Sequence, residues 1–403
     1  MRSMLSGGLL SAFVVLGLAS GALAQDNSGV AFSGGVYHKA VCGRVVGLAA
    51  QCMSRIVTDS KGVPLGSNRG QRISGYAPAD LRDAYKVTET GSSSTIIAIV
   101  DAFGYDNAEA DLGVYRAQWG LPACTTANGC FKKMNQRGMQ DHYPPQNIGW
   151  AQESALDVDM ASAMCPNCQI WLVEANTNSL KNLAKAVQLA ADLGAHVISN
   201  SYGGGDGRKT LDYDQYYTHP GIAVTASSGD GGFGVIYPSS SPHVTAVGGT
   251  HLIHDGSARG WAETVWGGAG SGCSRTHSKP EWQTDQGCRH RTVSDVSAVA
   301  DPATGVAVYG PNGSGNSQWL RFGGTSVSAP LIGGIYGANG GTVTYGSNPY
   351  AHTDAFFDVT SGSNGSCNPG KGGKKTYLCT GEVGYDGPTG LGTPNGIAGF
   401  GEP

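Results

Sequence analysis

An α/β fold, in which a mostly parallel sheet is covered by helices on both faces, is predicted by two observations. From Tyr76 onward, short apolar runs rich in β-branched residues alternate with helical patterns, which is the rhythm of βα units. The runs are also continuously apolar rather than alternating, as strands buried on both faces are.

The elements follow in order. Ser94 to Val100 (STIIAIV) predicts a buried strand and Ala108 to Trp119 (AEADLGVYRAQW) a helix. Gln169 to Glu174 (QIWLVE) predicts a second strand, and Ser179 to Leu193 a helix that Ser179 can cap and Gly194 can stop. His196 to Ser199 and Ile222 to Ala226 continue the alternation, and Leu331 to Gly341 has a small-residue helical pattern. Such a sheet gathers its functional groups in the loops after the strands' carboxyl ends.

Residues 25 to about 75 form a polar, weakly periodic lead holding Cys42 and Cys52, expected as a short disulfide-stapled extension that is either a small subdomain or a removable piece. Ahead of it, Arg2, the apolar run Leu9 to Leu18 and Ala22-Leu23-Ala24 predict a signal peptide cut after Ala24. The run is interrupted by Gly and Ser and is shorter than the roughly 20 residues of a membrane span. Export to periplasm or medium, without a membrane anchor, is therefore expected.

Ten cysteines in an exported chain imply disulfides. They fall as near neighbours, and the expected pairs are Cys42 with Cys52, Cys124 with Cys130, Cys165 with Cys168, Cys273 with Cys288 and Cys367 with Cys379; other connectivities stay open at this stage. Cys165-x-x-Cys168 alone could suggest zinc or a redox site, but no second CxxC accompanies it, so a loop staple is preferred. A net charge of -4 with 14% charged residues leaves no broad basic face for nucleic acid. The 64 glycines have no collagen-like period and sit between apolar runs, as in a loop-rich globular enzyme expected to work as a monomer.

The strongest chemical signal is Gly323-Gly324-Thr325-Ser326-Val327-Ser328-Ala329-Pro330. Two glycines let backbone approach a substrate, and a Ser opening a helix has neighbouring N–H groups free to face an oxyanion; a plain helix cap is the bland alternative. The octapeptide resembles the nucleophile motif shared by subtilisins and sedolisins. A serine needs a base, and a subtilisin takes it from a His-Gly-Thr motif that none of the ten histidines supplies. His251 follows Gly249-Thr250 in the reverse order. Ile97 to Gly104 (IAIVDAFG) resembles the segment carrying a subtilisin's catalytic Asp, which makes Asp101 a decoy here, since its partner is missing.

The sedolisin family uses Glu instead, and Gln152-Glu153-Ser154-Ala155-Leu156-Asp157-Val158-Asp159 resembles its segment. Glu153 and Asp157, four apart, share one face of a helix. Beside each other in a desolvated cleft they would share a proton and act as one acid-base unit. Ser228-Gly229-Asp230-Gly231 after an apolar run is similar to the family's oxyanion-hole Asp, and Ser201-Tyr202-Gly203-Gly204 resembles its substrate-binding edge. The resemblance implies Ser326 as nucleophile, Glu153 as base, Asp157 as its partner and a protonated Asp230 as oxyanion donor. It also implies a Ca²⁺ site, built from the Asp358 and Asp386 carboxylates and the backbone oxygens of Val359, Glu382 and Gly384, an all-oxygen set suited to that ion.

The resemblance runs from about Tyr76 to Pro403 and departs from the family at the start, because Gln25 to about Arg72 is too short for the large folded prosegment many members have. The expected function is that of a secreted, acid-active serine-carboxyl endopeptidase acting on proteins or peptides. The rivals are a catalytically silent peptide-binding relative and a His-dependent subtilisin-like protease.

Overall fold

The computed structural model describes residues 29–68, 70–340, 343, 346–367 and 376–401, so the leader read over residues 1–24 lies outside the described chain. The lead segment is β-rich. Strands β1 (Val30–Ser33) and β2 (Val36–Ala40) form a hairpin turned by Gly34 and Gly35, both at positive φ, as a two-residue hairpin loop requires. Three short strands follow: β3 (Gln51–Cys52), β4 (Arg55–Thr58) and β5 (Gly66–Ser67).

The α/β part then opens with α1 (Pro78–Ala84), β6 (Ile96–Ala102), α2 (Ala108–Gln118), β7 (Phe131–Asn135) and α3 (Ile148–Met164). It continues through β8 (Gln169–Ala175), α4 (Leu180–Asp192), β9 (Val197–Asn200), β10 (Tyr202–Gly205) and β11 (Ala223–Ser227). Next come β12 (Ile236–Tyr237), β13 (Thr245–His254), β14 (Trp261–Val265), β15 (Gly272–Ser278), β16 (His290–Val293) and β17 (Val296–Val299). Strands β18 (Val306–Pro311) and β19 (Ser317–Gly323) lead into α5 (Thr325–Asn339).

The main sheet has the order β14-β13-β11-β9-β6-β8-β7, with β17 also on β13, and every pairing is parallel except that of β14. This is the expected mostly parallel, subtilisin-like sheet between helical layers. Strand β6 makes the layering visible: Ile97 and Ile99 join the core formed with α3 and α5, whereas Ala98 and Val100 join the core formed with α4. Successive side chains point to opposite faces, so a continuously apolar strand serves two cores. Helix α4 turns a stripe of Leu180, Leu183, Ala184, Val187 and Ala190 to the sheet. The Ser179 hydroxyl accepts the Asn182 N–H at 3.3 Å, and Gly194 at φ +90 follows the helix end.

The lead segment is built into the rest. Strand β4 lies between β2 and β19 in an antiparallel sheet of order β1-β2-β4-β19-β18, with Arg55 opposite Gly323 and Ile56 opposite Phe322. Strand β3 pairs with β10. All five disulfides join the cysteines expected from their spacing. Among the described residues no helix is long and apolar enough to cross a membrane.

Candidate active site

Helix α3 is buried from Gly149 to Met164. A helix so placed would be expected to be apolar all round, yet it carries Gln152, Glu153, Ser154, Asp157 and Asp159. Three of these have partners: Gln152 donates to the Pro311 carbonyl at 2.8 Å, Ser154 donates to Asp101 at 2.8 Å, and Asp159 accepts the Tyr309 N–H at 3.1 Å. Glu153 and Asp157 differ, since no hydrogen bond of ordinary geometry reaches any of their four carboxylate oxygens, although the Ser326 and Ser54 hydroxyls lie close to Glu153 and that of Ser201 close to Asp157. Burying a carboxyl without partners is costly, and among the described residues no other buried carboxyl lacks one on both oxygens, so this pair marks a candidate site.

Burial pushes the Glu153 carboxyl well above the usual range, and the charge of Asp101 adds to the rise; the nearby hydroxyls of Ser326 and Ser54 oppose it. Asp157 is raised by burial, then by Asp101 and Glu153. The pair therefore retains protons to higher pH than free carboxylates would. Asp101 is itself buried and pushed up to about 7 by desolvation, against the Ser154 hydrogen bond. Set aside on sequence for want of a histidine, Asp101 sits at the end of β6 as a third acid of the cluster. The IAIVDAFG segment marks Asp101, but its contact with Ser154 on a helix that begins some fifty residues later leaves no local signal in the sequence.

Asp230 lies in the loop after β11, and two bonds fasten it to the start of α5. The Thr325 N–H and hydroxyl donate to its Oδ1 at 2.8 and 3.0 Å, while Ser227 at the end of β11 donates to the Thr325 carbonyl at 2.9 Å. Burial pushes Asp230 up to about 6, against the charge of Arg55 and the bonds from Thr325. Gly324, at φ +98, makes the turn between β19 and α5, and a Cβ there would come within 2.7 Å of Asp230 Oδ2 and collide with the Met53 carbonyl oxygen. A side chain at that position would thus expel both oxygens.

Ser326 is the second residue of α5, so its N–H has no intrahelical acceptor. It donates instead to the Met53 carbonyl at 2.9 Å. The Ser326 hydroxyl donates to the Ser201 carbonyl at 3.1 Å, and the Met53 N–H donates to that same oxygen at 3.0 Å. The edge expected to take a substrate is therefore lined with the chain's own residues: Cys52 lies opposite Tyr202 and Gln51 opposite Gly203, antiparallel. Further along, the Ala50 N–H donates to Asn178 O and the Asn178 side chain donates to Ala50 O, both at 2.8 Å, and the Leu180 N–H donates to Leu48 O at 3.0 Å. Sequence reasoning missed this seating of Gln51 to Ser54, for which only the Cys42–Cys52 staple hints that the segment is held in place.

Away from this cluster, Asp386 is buried, with Oδ1 accepting from the Thr389 N–H at 2.9 Å and hydroxyl at 2.8 Å and Oδ2 accepting from the Glu382 N–H at 3.2 Å. Asp358 accepts the Gly384 N–H at 2.8 Å, which places it on the same turn. Among the described residues no three His, Cys, Asp or Glu side chains gather as a metal centre. An ion here would depend on the two carboxylates and on backbone oxygens.

Comparison with known proteins places this geometry among relatives. The profile of the Subtilase family matches residues 146–338, a stretch that runs from α3 to α5 and contains Glu153, Asp157, Asp230 and Ser326. Kumamolisin of Bacillus sp. (strain MN-32) is 29% identical over 80% of this chain and 62% of its own length. Sedolisin of Pseudomonas sp. (strain 101) is 25% identical over 79% of this chain and 60% of its own. Tripeptidyl-peptidase 1 of Dictyostelium discoideum is 26% identical over 79% of this chain and 57% of its own. The chain thus spans only about 60% of the length of these curated relatives. Among solved structures, Pseudomonas sedolisin complexed with two molecules of pseudo-iodotyrostatin superposes with a TM-score of 0.66 at 24% identity, over 81% of this chain and 96% of that one.

Proposed function

We propose that this chain, whose residues 146–338 match the Subtilase family and which is similar to kumamolisin and sedolisin, is a secreted, acid-active endopeptidase that works through an acyl-enzyme on Ser326. The observation that carries the reading is a helix-opening serine and an elevated carboxyl, Asp230, meeting at one backbone carbonyl, with the buried Glu153 beside the serine hydroxyl and Asp157 beside Glu153. Glu153 takes the Ser326 proton as the hydroxyl adds to the substrate carbonyl, and Asp157 holds the proton the pair shares. The Ser326 N–H and neutral Asp230 donate to the developing oxyanion. Glu153 then protonates the leaving amine, and water repeats the sequence to free the acid. No histidine is required.

An endopeptidase rather than a tripeptidyl-peptidase is favoured by the course of residues 48–53. Backbone bonds continue past Gln51 to Ala50 and Leu48 along Asn178 to Leu180, so the groove accepts chain well beyond the third residue on the acyl side. The test is an internally quenched peptide with a blocked amino terminus, assayed from strongly acid to mildly alkaline pH. Cleavage inside the blocked peptide supports the endopeptidase; release of tripeptides from free amino termini alone would replace it with an exopeptidase. Export follows from five disulfides, which persist in oxidising compartments.

The turn of Asp358 and Asp386 fits a Ca²⁺ ion in donor type, being all oxygen, and in having a buried Asp386 carboxylate close to a second acid. The Asp358 and Asp386 carboxylates and the carbonyl oxygens of Val359, Glu382 and Gly384 would hold it. Bound there, the ion supplies positive charge that ties this C-terminal turn to the fold. Chelation is expected to lower the melting temperature while leaving initial rates at low temperature little changed, and Asp386→Ala should mimic it. At a hundredfold excess over Kd the ion would add about 3 kcal/mol. A melting temperature indifferent to chelator after dialysis would remove the site.

A further inference from the structure

Next to the acid cluster lies a buried carboxyl that the catalytic steps above do not use. Strands β6 and β8 run in parallel with Asp101 opposite Glu174. Alternation along the strands puts both on the face of Ile97, Ile99, Ile170 and Leu172, which packs on α3. Each carboxyl is buried, with one oxygen served and one bare. Asp101 Oδ2 accepts the Ser154 hydroxyl at 2.8 Å and Glu174 Oε1 accepts the Tyr105 N–H at 2.8 Å, whereas Asp101 Oδ1 and Glu174 Oε2 have no hydrogen-bond donor. Ionised, the two acids can only accept, so neither serves the other; a proton on either bare oxygen turns one into a donor to its neighbour.

The two ends of this couple have unequal surroundings. At the Glu174 end, Lys133 on β7 lies 3.6 Å from Oε1 and donates to the Tyr105 carbonyl at 2.9 Å. The same ammonium sits over the Tyr143 ring, and Asp106 adds a further negative charge. The Asp101 end meets Ser154, Glu153 and Asp157 on α3, and the Tyr202 phenol of β10 also feels its charge. Burial raises both carboxyls to about 7, with Lys133 opposing the rise at Glu174. A negative charge on Asp101 raises Glu153 and Asp157 in turn. On Glu174 the same charge is paired with a cation.

We propose that Glu174 is a positioning residue of the acid cluster: it shares a proton with Asp101 and draws the couple's negative charge to the Lys133 side, away from Glu153 and Asp157. The inference rests on the peptidase reading above. With Glu174 in place, Asp101 keeps its proton up to about 7, so the base pair has a neutral neighbour across the acid range. Glu174→Gln reverses this. Its amide can donate to Asp101 Oδ1 and carries no charge, which favours the ionised Asp101 and brings a negative charge against the base pair. A like charge nearby makes Glu153 and Asp157 hold protons to higher pH, so Glu153 becomes free to accept the Ser326 proton only at higher pH.

The test follows kcat for the blocked peptide against pH. In Glu174→Gln the acid limb is expected to move upward by about one pH unit, while the alkaline limb assigned to Asp230 stays in place. In an Asp101→Asn background the same substitution should move nothing, because the charge it redirects is gone. A lower rate with an unmoved acid limb, or the same shift in the Asp101→Asn background, would overturn the proposal and leave the peptidase reading standing. A second measurement needs no turnover: carbon NMR of carboxyl-labelled Asp and Glu in full-length Ser326→Ala. Asp101 and Glu174 should titrate as one coupled pair. Adding Glu174→Gln should lower the Asp101 titration by about one unit or more, and Lys133→Met, which keeps both acids, should raise the pH at which the couple releases its proton. An Asp101 titration that ignores Lys133→Met would overturn the proposal even where Glu174→Gln does not fold. Absence of hydrolysis in every form, with the titrations as expected, would overturn the peptidase reading and the positioning role with it, leaving a buried proton-sharing pair.

Discussion

Ser326→Ala and Glu153→Ala are each expected to lower kcat for the blocked peptide by about four to six orders of magnitude, because each removes one half of the nucleophile–base unit. Asp230→Ala should cost about two to three orders, the usual loss for one oxyanion donor. Combining the first two should add almost nothing to either alone. The stabilities are expected to move the other way for Glu153→Ala: this carboxyl is buried and without a hydrogen-bond donor, so its loss should leave the melting temperature unchanged or higher. Measurable wild-type-like turnover in Glu153→Ala would sink the assignment of the base, and a collapsed melting curve would make the residue structural.

The second large effect is that of pH, on rate and on stability alike. Asp230 is pushed up to about 6, so the neutral form that can donate to an oxyanion prevails below that pH and is lost above it; the rate should fall as pH rises through about 6. Asp230→Asn donates at any pH and should shift the alkaline limb upward, and an unmoved limb would contradict the donor role. For stability, the sign follows from linkage. Asp101 and Glu174 are both buried and raised to about 7, so the native chain holds protons that the unfolded chain has released. Their contribution is complete below about 4 and declines as pH rises through about 7. For Asp101 alone it is on the order of 4 kcal/mol, and the melting temperature should drop by about 10 °C between pH 4 and pH 8. A flat or rising melting temperature over that range would contradict the buried, protonated cluster.

Much of the architecture was legible because its causes are local. The apolar runs at Ile97 and Ile170 become paired strands, Ser179 caps α4, Gly194 adopts the left-handed backbone that ends it, and near-neighbour cysteines join. The spacing of Glu153 and Asp157 put both on one face of a helix without any knowledge of what that face meets. What the sequence could not yield depends on contacts between distant segments. Asp101 becomes part of the acid cluster only because β6 runs beneath α3, where Ser154 reaches it. Met53 has no local feature that separates it from an ordinary buried methionine; its place against Ser326 comes from the pairing of two-residue β3 with β10. The resemblance to a family names motifs within the catalytic part, but not the seating against Gly203, Tyr202 and Ser326 of Gln51 to Met53, which lie ahead of the stretch it covers.

The position of β4 in its sheet has a colloidal consequence. In the intact chain this strand is flanked by β2 on one side and β19 on the other. Loss of β1 and β2 would turn β4 from an interior strand into a rim, with the backbone groups of Arg55 to Thr58 newly open to a second molecule. Unpaired rims of this kind invite strand addition between copies, and short length and a charged side chain are what blunt it. Four residues beginning with Arg55 meet both conditions, so a β4 rim bared in this way would carry its own safeguard against self-association, and β2 covers it in the intact chain.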